Sequence, residues 1–305
     1  MKKTVFSNPV FVMVCALLCT ALWGSATPFI KTGYLCLKVD GTPSIILFAG
    51  IRFALAGILT IIICSIIDRR FLYPQKENLK YVGTISIFQT ILQYIFFYVG
   101  LANTSGVKGT ILSGSSAFFS ILVATLIFKQ EKLTLKKIIA CIIGFAGVVV
   151  VNLNGLKLNF NFFGDAFVIF SAISLAFSSV LMKIYSKHEN PVVLSGYQFI
   201  IGGLIMIAIG LVFGGTISFE SIKGISILIY LAFLSAVAYA LWGILLKYNP
   251  VSKVAVFSFM TPVFGVILSK LILTEASAVS FFNVLVALAL ICGGIITINY
   301  QKNRT

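Results

Sequence analysis

The chain has 305 residues, of which 59% are hydrophobic and only 10% are charged, and its formal net charge is +15. A soluble globular protein has about half apolar and about a quarter charged residues, so this composition excludes that class. The basic residues lie in short segments between apolar blocks, as in the cytoplasmic loops of membrane proteins, and we expect no nucleic-acid partner.

The apolar residues recur in blocks long enough to cross, as helices, a hydrocarbon core about 30 Å thick. Lys2 and Lys3 precede the first block as in a signal peptide, but the uncharged run from Thr4 to Ile30 predicts a retained first span. We predict ten spans, at 9–30, 44–67, 79–101, 107–128, 135–154, 164–184, 192–213, 224–246, 251–273 and 279–299.

Lysine and arginine are concentrated on the side of the membrane where the N-terminus lies, for example at Arg69, Arg70, Lys132 and Lys136. Basic loops are retained in the cytoplasm. With ten spans, both termini are predicted to be cytoplasmic. We expect a multi-pass protein of the bacterial cytoplasmic (inner) membrane, surrounded by the lipid bilayer.

Two segments follow one plan, Thr104–Asn152 and Asn249–Asn299. Each has an apolar run, then a glutamate (Glu131 or Glu275), then a second run with glycines that ends on asparagine; those glycines are Gly144, Gly147, Gly293 and Gly294. Because five spans per half is an odd number, the second half is inverted relative to the first. The predicted fold is an all-α membrane protein with two inverted five-helix repeats, residues 1–155 and 156–305, and a shared site near mid-depth.

Four short motifs in span order resemble those of the EamA-type permeases of the drug/metabolite transporter superfamily: Ala21–Ser25, Ile51–Gly57, Glu131–Thr134 and Met260–Phe264. The resemblance implies ten helices and the export of small metabolites such as amino acids by alternating access. It does not identify the substrate.

Helical spacing gives polar faces to spans 1, 3, 4, 6, 8 and 9, and such faces are poorly placed against lipid. We therefore predict that these six spans surround a polar cavity, while the glycine-containing spans 2, 5, 7 and 10 support it. The candidate cavity-lining residues are Trp23, Thr27, Gln89, Gln93, Ser113, Ser174, Ser178, Tyr239, Trp242, Ser258 and Thr261. Close helix packing and interhelical hydrogen bonds are alternative roles for the serines and glutamines.

Three basic residues are candidate partners for a substrate carboxylate: Lys31, Arg52 and Lys183. Arg52 lies inside span 2, where an ionisable group indicates function, although snorkelling or helix capping is an alternative. For Lys31 and Lys183 the alternative is snorkelling towards the interface. All eight acidic residues fall in loops or at span ends. The absence of a carboxylate in mid-span favours a neutral or zwitterionic substrate over a cationic one.

The alternative functions are a lipid flippase and an intramembrane lipid-processing enzyme. An enzyme needs a nucleophile with a base, or a metal, yet the predicted spans contain no histidine, no HExxH and no GxSxG. The six cysteines have no metal-binding spacing. We therefore predict a permease and not an enzyme, with a small-molecule substrate, no cofactor, no metal, and a monomeric or homodimeric state.

Overall fold

The computed structural model describes residues 5–104, 106–153, 160–273 and 281–299. In these ranges all regular structure is helical, as predicted, and no strand occurs. Nine helices of this described part are long and apolar enough to cross a membrane, and the shorter apolar helix Leu135–Val151 makes a tenth. We number them α1 Pro9–Cys36, α2 Gly41–Ile67, α3 Lys76–Ala102, α4 Lys108–Ile127, α5 Leu135–Val151, α6 Phe162–Tyr185, α7 Pro191–Val212, α8 Ile222–Tyr248, α9 Val251–Ser269 and α10 Phe282–Asn299.

Several helices begin at residues whose side chains cap the first free backbone N–H groups. Asn8 accepts hydrogen bonds from the first turn of α1, and Asn190 does the same for α7, each just before a proline at the first helical position. Thr134 caps α5 and Ser221 caps α8. Such caps are readable from sequence because they act within three residues. The predicted end of α1 at residue 30 was wrong, because the helix continues to Cys36.

Helix α3 contains a π-helical segment, Ser86–Leu92. A π-helix has more residues per turn than an α-helix, so it rotates the following side chains around the axis. As a result Ser86 and Thr90 meet Gly202 on α7, whereas Tyr94 bonds to Tyr239 on α8. Regular α-helical spacing would have placed Thr90 and Tyr94 on one face.

The helices contact one another in a regular pattern. Helix α2 packs against α7 and α5 packs against α10, while α1 packs against α8 and α9, and α6 against α3 and α4. Exchanging α1–α5 for α6–α10 leaves this set of neighbours unchanged.

Glycines bring the α2–α7 and α5–α10 pairs into backbone contact. A methyl group added at Gly57 of α2 would clash with the carbonyl oxygen of Gly196 on α7. One added at Gly294 of α10 would lie 2.7 Å from the carbonyl oxygen of Ala140 on α5. These four helices are those that the sequence assigned to the scaffold, and small residues permit such close crossing in membrane proteins.

The two ends of the described chain lie on the same face of the bundle. Asn249, at the end of α8, donates to the carbonyl oxygen of Phe6 just before α1, and Asn299 of α10 donates to the carbonyl oxygen of Lys253 on α9. We call this face, where α1 and α9 begin and α8 and α10 end, the N-terminal face. An even number of crossings requires this arrangement.

Candidate functional site

Four aromatic residues meet where α1, α3 and α8 approach one another, and we call them the aromatic cluster: Trp23, Tyr94, Tyr239 and Trp242. The ring of Trp23 lies 5.0 Å from that of Tyr239 and 4.9 Å from that of Trp242, between centroids. The hydroxyls of Tyr94 and Tyr239 share a hydrogen bond of 2.7 Å. The structure thus brings into contact three residues, Trp23, Tyr239 and Trp242, that the sequence proposed to line the same cavity.

The supporting helices α2 and α7 form the back of this cluster. Phe53 of α2 lies 4.3 Å from the ring of Tyr94 and 5.1 Å from that of Phe199 on α7, which in turn meets Tyr239 edge-on at 4.9 Å. Sequence reasoning missed Tyr94, Phe53 and Phe199. Tyr94 follows directly after Gln93, but the π-helical segment hides its direction, and phenylalanines in an apolar span carry no distinguishing signal.

Four of the predicted cavity residues have a buried polar atom without a hydrogen-bond partner: Trp23 Nε1, Gln89 Oε1, Gln93 Oε1 and Thr261 Oγ1. Each such atom costs about 1–3 kcal/mol of desolvation unless something binds it. Gln93 directly precedes Tyr94 of the aromatic cluster. Thr261 lies one turn before Gly265, and Gly265 packs against Gly24 beside Trp23. Unpaired donors and acceptors beside an aromatic wall are typical of a site for a small polar molecule.

The predicted serines are mostly satisfied within their own helices. Ser113 donates to Gly109, Ser178 to Leu175 and Ser258 to Ala255, at 2.7–2.8 Å. This bonding corresponds to the packing role that the sequence left open. Ser174 is buried, whereas Thr27 is exposed.

Burial differs between the two ends of the bundle. In the first half of α9, residues 254–257, 259 and 260 are buried. Among residues 261–269, all of which the structure describes, only Val263 is buried. Thr27 and Lys31 follow Trp23 at intervals of four along one face of α1, and both are exposed. Helix α9 is therefore more deeply buried near the N-terminal face than towards the opposite face.

Arg52 is 3% exposed and bonded to α8. Its Nε donates to the carbonyl oxygen of Leu231 at 3.3 Å, and its Nη2 donates to Ser235 Oγ at 2.9 Å. Lys183 has another position, near the N-terminal face, where its Nζ donates to the carbonyl oxygens of Leu246 and Asn249. Lys183 therefore caps the end of α8, whereas Arg52 lies in the membrane interior.

The side chain of the predicted loop acid Glu131 is only 8% exposed, at the N-terminal face, and joins the two halves of the chain. It pairs with Lys137 Nζ at 2.8 Å and accepts hydrogen bonds from both the backbone N–H and the hydroxyl of Ser252, at the start of α9. Burial by itself raises the pKa of Glu131, but the hydrogen bonds from Lys137 and Ser252 outweigh burial and hold the pKa below its usual value. Its counterpart in the repeat plan, Glu275, lies outside the described residues.

A second buried acid is at the opposite face. Asp165, in the first turn of α6, pairs with Lys108 of α4 and accepts a hydrogen bond from Thr104 after α3. Both acids lie at helix ends or in loops, as the sequence predicted, but unlike typical loop acids they are buried.

The chain resembles a known family along nearly all its length. The sequence model of the EamA-like transporter family matches residues 10–153 and, separately, residues 162–300. An uncharacterized transporter of Synechocystis is 28% identical over 83% of this chain and 80% of its own length. The uncharacterized transporter YetK of Bacillus subtilis is 24% identical over 88% of this chain and 82% of its own.

Two further similarities extend this result. A chloroplastic WAT1-related protein of Arabidopsis thaliana is 25% identical over 83% of this chain, which spans 61% of that protein. A protein of known crystal structure superimposes with a TM-score of 0.75 over 94% of this chain and 96% of its own, at 17% identity. That last similarity concerns the fold alone.

Proposed function

This chain belongs to the EamA-like transporter family, and we propose that it is a secondary transporter that exports a small neutral or zwitterionic, amino-acid-like metabolite by alternating access. Membership makes it a multi-pass membrane transporter and not an enzyme. We further propose that it resides in the bacterial cytoplasmic membrane with both termini in the cytoplasm, on the basis of its basic loops.

We propose that residues 1–155 and 156–305 are two inverted repeats. The separate matches of the family model to each half support this division. The helix packing supports it as well. Helix α1 packs against α8 and α9 of the second half, and its counterpart α6 packs against α3 and α4, the counterparts of α8 and α9 in the first half. Inverted repeats of this kind form a shared binding site at mid-depth.

The observation that carries the proposed substrate site is the set of unpaired polar atoms beside the aromatic cluster. Gln93 Oε1 needs a donor, and Trp23 Nε1 needs an acceptor. A zwitterion provides both, because an ammonium group donates and a carboxylate accepts. No acidic side chain of the described residues lies at this depth to select a cation.

Alternating access requires that the N-terminal face open when the opposite face closes. We propose that the N-terminal face is the closed one here, because Glu131 holds the first half against the start of α9 through Ser252. We propose that this contact separates in the alternate state. The exposed face of α1 at Thr27 and Lys31 then becomes covered.

Counterflow in proteoliposomes tests the proposed function. Radiolabelled amino acids, sugars and nucleosides are exchanged against the same unlabelled solute, with and without a pH step. Uptake of an amino acid is the expected result, and a fluorescent lipid that crosses while no soluble solute exchanges would instead support a flippase.

Variants locate the site in the same assay. Gln93→Ala and Trp242→Ala should reduce flux at equal protein abundance. Ser258→Ala is the matched control, since its hydroxyl bonds within its own helix. Wild-type flux from both site variants would contradict the proposed position.

A further inference from the structure

The turn between α2 and α3, residues 66–73, combines exposed apolar side chains with exposed charge on the N-terminal face, to which α2 returns. Its apolar members are each 68–72% exposed, and they are Ile66, Ile67, Phe71 and Tyr73. Arg69 and Arg70 are exposed between them. Neither arginine takes part in an ion pair among the described residues, whose ion pairs use Lys38, Lys108 and Lys137. Such a mixture suits neither water nor hydrocarbon alone and is typical of the interface between the two.

Hydrogen bonds hold this α2–α3 turn in one conformation. The N–H of Arg70 donates to the carbonyl oxygen of Ser65 at 3.1 Å, and the N–H of Leu72 donates to the Ser65 hydroxyl at 3.0 Å. The carbonyl oxygen of Leu72 accepts a hydrogen bond from Tyr197 of α7, and the Leu72 side chain is buried beside Val193. Because Leu72 faces inwards, the fold itself presents its two aromatic neighbours in the chain on the outside.

The second half of the chain contains a turn of the same geometry at the opposite face, after α7. There the N–H of Gly215 donates to the carbonyl oxygen of Gly210, as in the α2–α3 turn. The preceding residue is left-handed in both turns, with φ at +81° for Gly214 and +52° for Arg69. Glycine adopts this conformation without strain, whereas arginine does not. The α2–α3 turn thus carries arginine at a position where glycine is the less strained residue.

The two turns differ in charge but not in apolar exposure. The α7–α8 turn also exposes large apolar side chains, at Val212 and Phe213. Residues 66–80 contain four basic residues and two acids, a net charge of +2, whereas residues 211–225 contain one of each. A basic segment next to the end of a membrane helix attracts anionic lipid headgroups, roughly fivefold in affinity for each lysine or arginine. Guanidinium groups in addition bind phosphate oxygens in pairs.

We propose that the α2–α3 turn is a binding surface for an anionic phospholipid of the adjacent leaflet. Arg69 and Arg70 bind the headgroup, while Phe71 and Tyr73 lie at headgroup depth and the two isoleucines contact the acyl chains. The surface requires a chain that spans a bilayer, and it does not depend on which solute is transported.

A basic residue at the end of a helix also has a purely structural use. A positive charge after the last turn interacts favourably with the helix dipole. Lys38 and Lys129 have the same left-handed backbone after α1 and α4, which fits that use. If Arg69 and Arg70 served only the end of α2, they would act alike in every lipid. A lipid-binding surface instead makes the surroundings of this turn depend on headgroup charge.

A tryptophan placed in each turn compares the two surfaces in one bilayer. Phe71→Trp and Phe213→Trp replace rings that are exposed to a similar extent. Each variant is reconstituted into phosphatidylcholine vesicles with increasing fractions of brominated phosphatidylglycerol or brominated phosphatidylcholine, whose bromine atoms quench nearby tryptophan. The wild-type emission, which comes from Trp23 and Trp242, is subtracted.

At Phe71→Trp we expect phosphatidylglycerol to be preferred roughly fivefold to twenty-fivefold, the effect of one or two arginines. At Phe213→Trp we expect no preference. Adding Arg69→Gly and Arg70→Gln to Phe71→Trp should remove most of the preference, whereas Arg70→Lys, which keeps the charge, should retain most of it. Arg69→Gly should not lower the thermal midpoint in detergent, because glycine relaxes the backbone there.

Three results would overturn the surface. The first is equal quenching by the two brominated lipids at Phe71→Trp, or an equal preference in both turns. The second is a preference that survives the loss of both arginines. The third is the absence of quenching by either lipid at Phe71→Trp, since the turn would then be covered by something other than the bilayer.

Discussion

Gln93→Met is expected to stabilise the protein while it reduces transport. The change removes Gln93 Oε1, a buried acceptor without a partner, whose desolvation costs about 1–3 kcal/mol. It also removes the amide N–H donors of Gln93, whose loss costs about 0.5–1.5 kcal/mol. Methionine has nearly the same length, so packing changes little. The balance is a gain on the order of 1 kcal/mol.

Opposite signs for stability and activity distinguish a binding residue from a packing residue. Thermal unfolding in detergent measures the first quantity, and counterflow at equal protein abundance measures the second. The matched control is Gln198→Met on α7. Gln198 is also buried and also has an unpaired amide nitrogen, but its oxygen accepts a hydrogen bond of 2.6 Å from the buried Thr90, which methionine would remove. The thermal midpoint should therefore rise less for Gln198→Met than for Gln93→Met.

Two results would refute this reasoning. A lower thermal midpoint for Gln93→Met would mean that its oxygen is satisfied in the folded protein. Unchanged flux per molecule would mean that the unpaired oxygen does not face the solute.

Three further predictions concern the glycine packing of α5 against α10 and the contacts of Glu131 and Lys183 at the N-terminal face. Gly294→Ala should be less stable than Gly293→Ala by about 1–3 kcal/mol. The methyl added at Gly294 lies 2.7 Å from a backbone oxygen of α5, whereas the one added at Gly293 lies no nearer than 3.8 Å to any neighbouring atom. Equal thermal midpoints for the two variants would contradict the close α5–α10 pairing. Because the pKa of Glu131 is lowered, its stabilising contribution is complete above its usual value of 4.5 and is lost as the pH falls through the lowered value. The thermal midpoint of Glu131→Gln should therefore fall at neutral pH and depend less on acidification than that of the wild type, and an unchanged pH dependence would show that other groups cause it. Lys183→Met should lower stability by about 1–3 kcal/mol, because it leaves two carbonyl oxygens at the end of α8 without a donor. The solute affinity measured in counterflow should not change, and an altered affinity would place Lys183 at the site.

Much of the candidate site was accessible from sequence because helical spacing is a local property. Trp23, Tyr239 and Trp242 lie on predicted polar faces, and the structure joins them. Gln89 and Gln93 were identified because an amide is costly to bury, and both retain an unpaired oxygen. The predicted serines were less informative, since a hydroxyl in an apolar helix bonds its own backbone as readily as a solute.

The sequence by itself determined the helical class, the ten spans and the four scaffold helices, because the bilayer requires every backbone group to be paired and glycine permits close crossing. Only the tertiary structure decided which distant groups meet: Tyr94 with Tyr239, Arg52 with Ser235, and Glu131 with Ser252. These contacts join residues more than a hundred positions apart. Spacing along one helix shows which way a side chain points, but only the packing of all the helices shows what it meets.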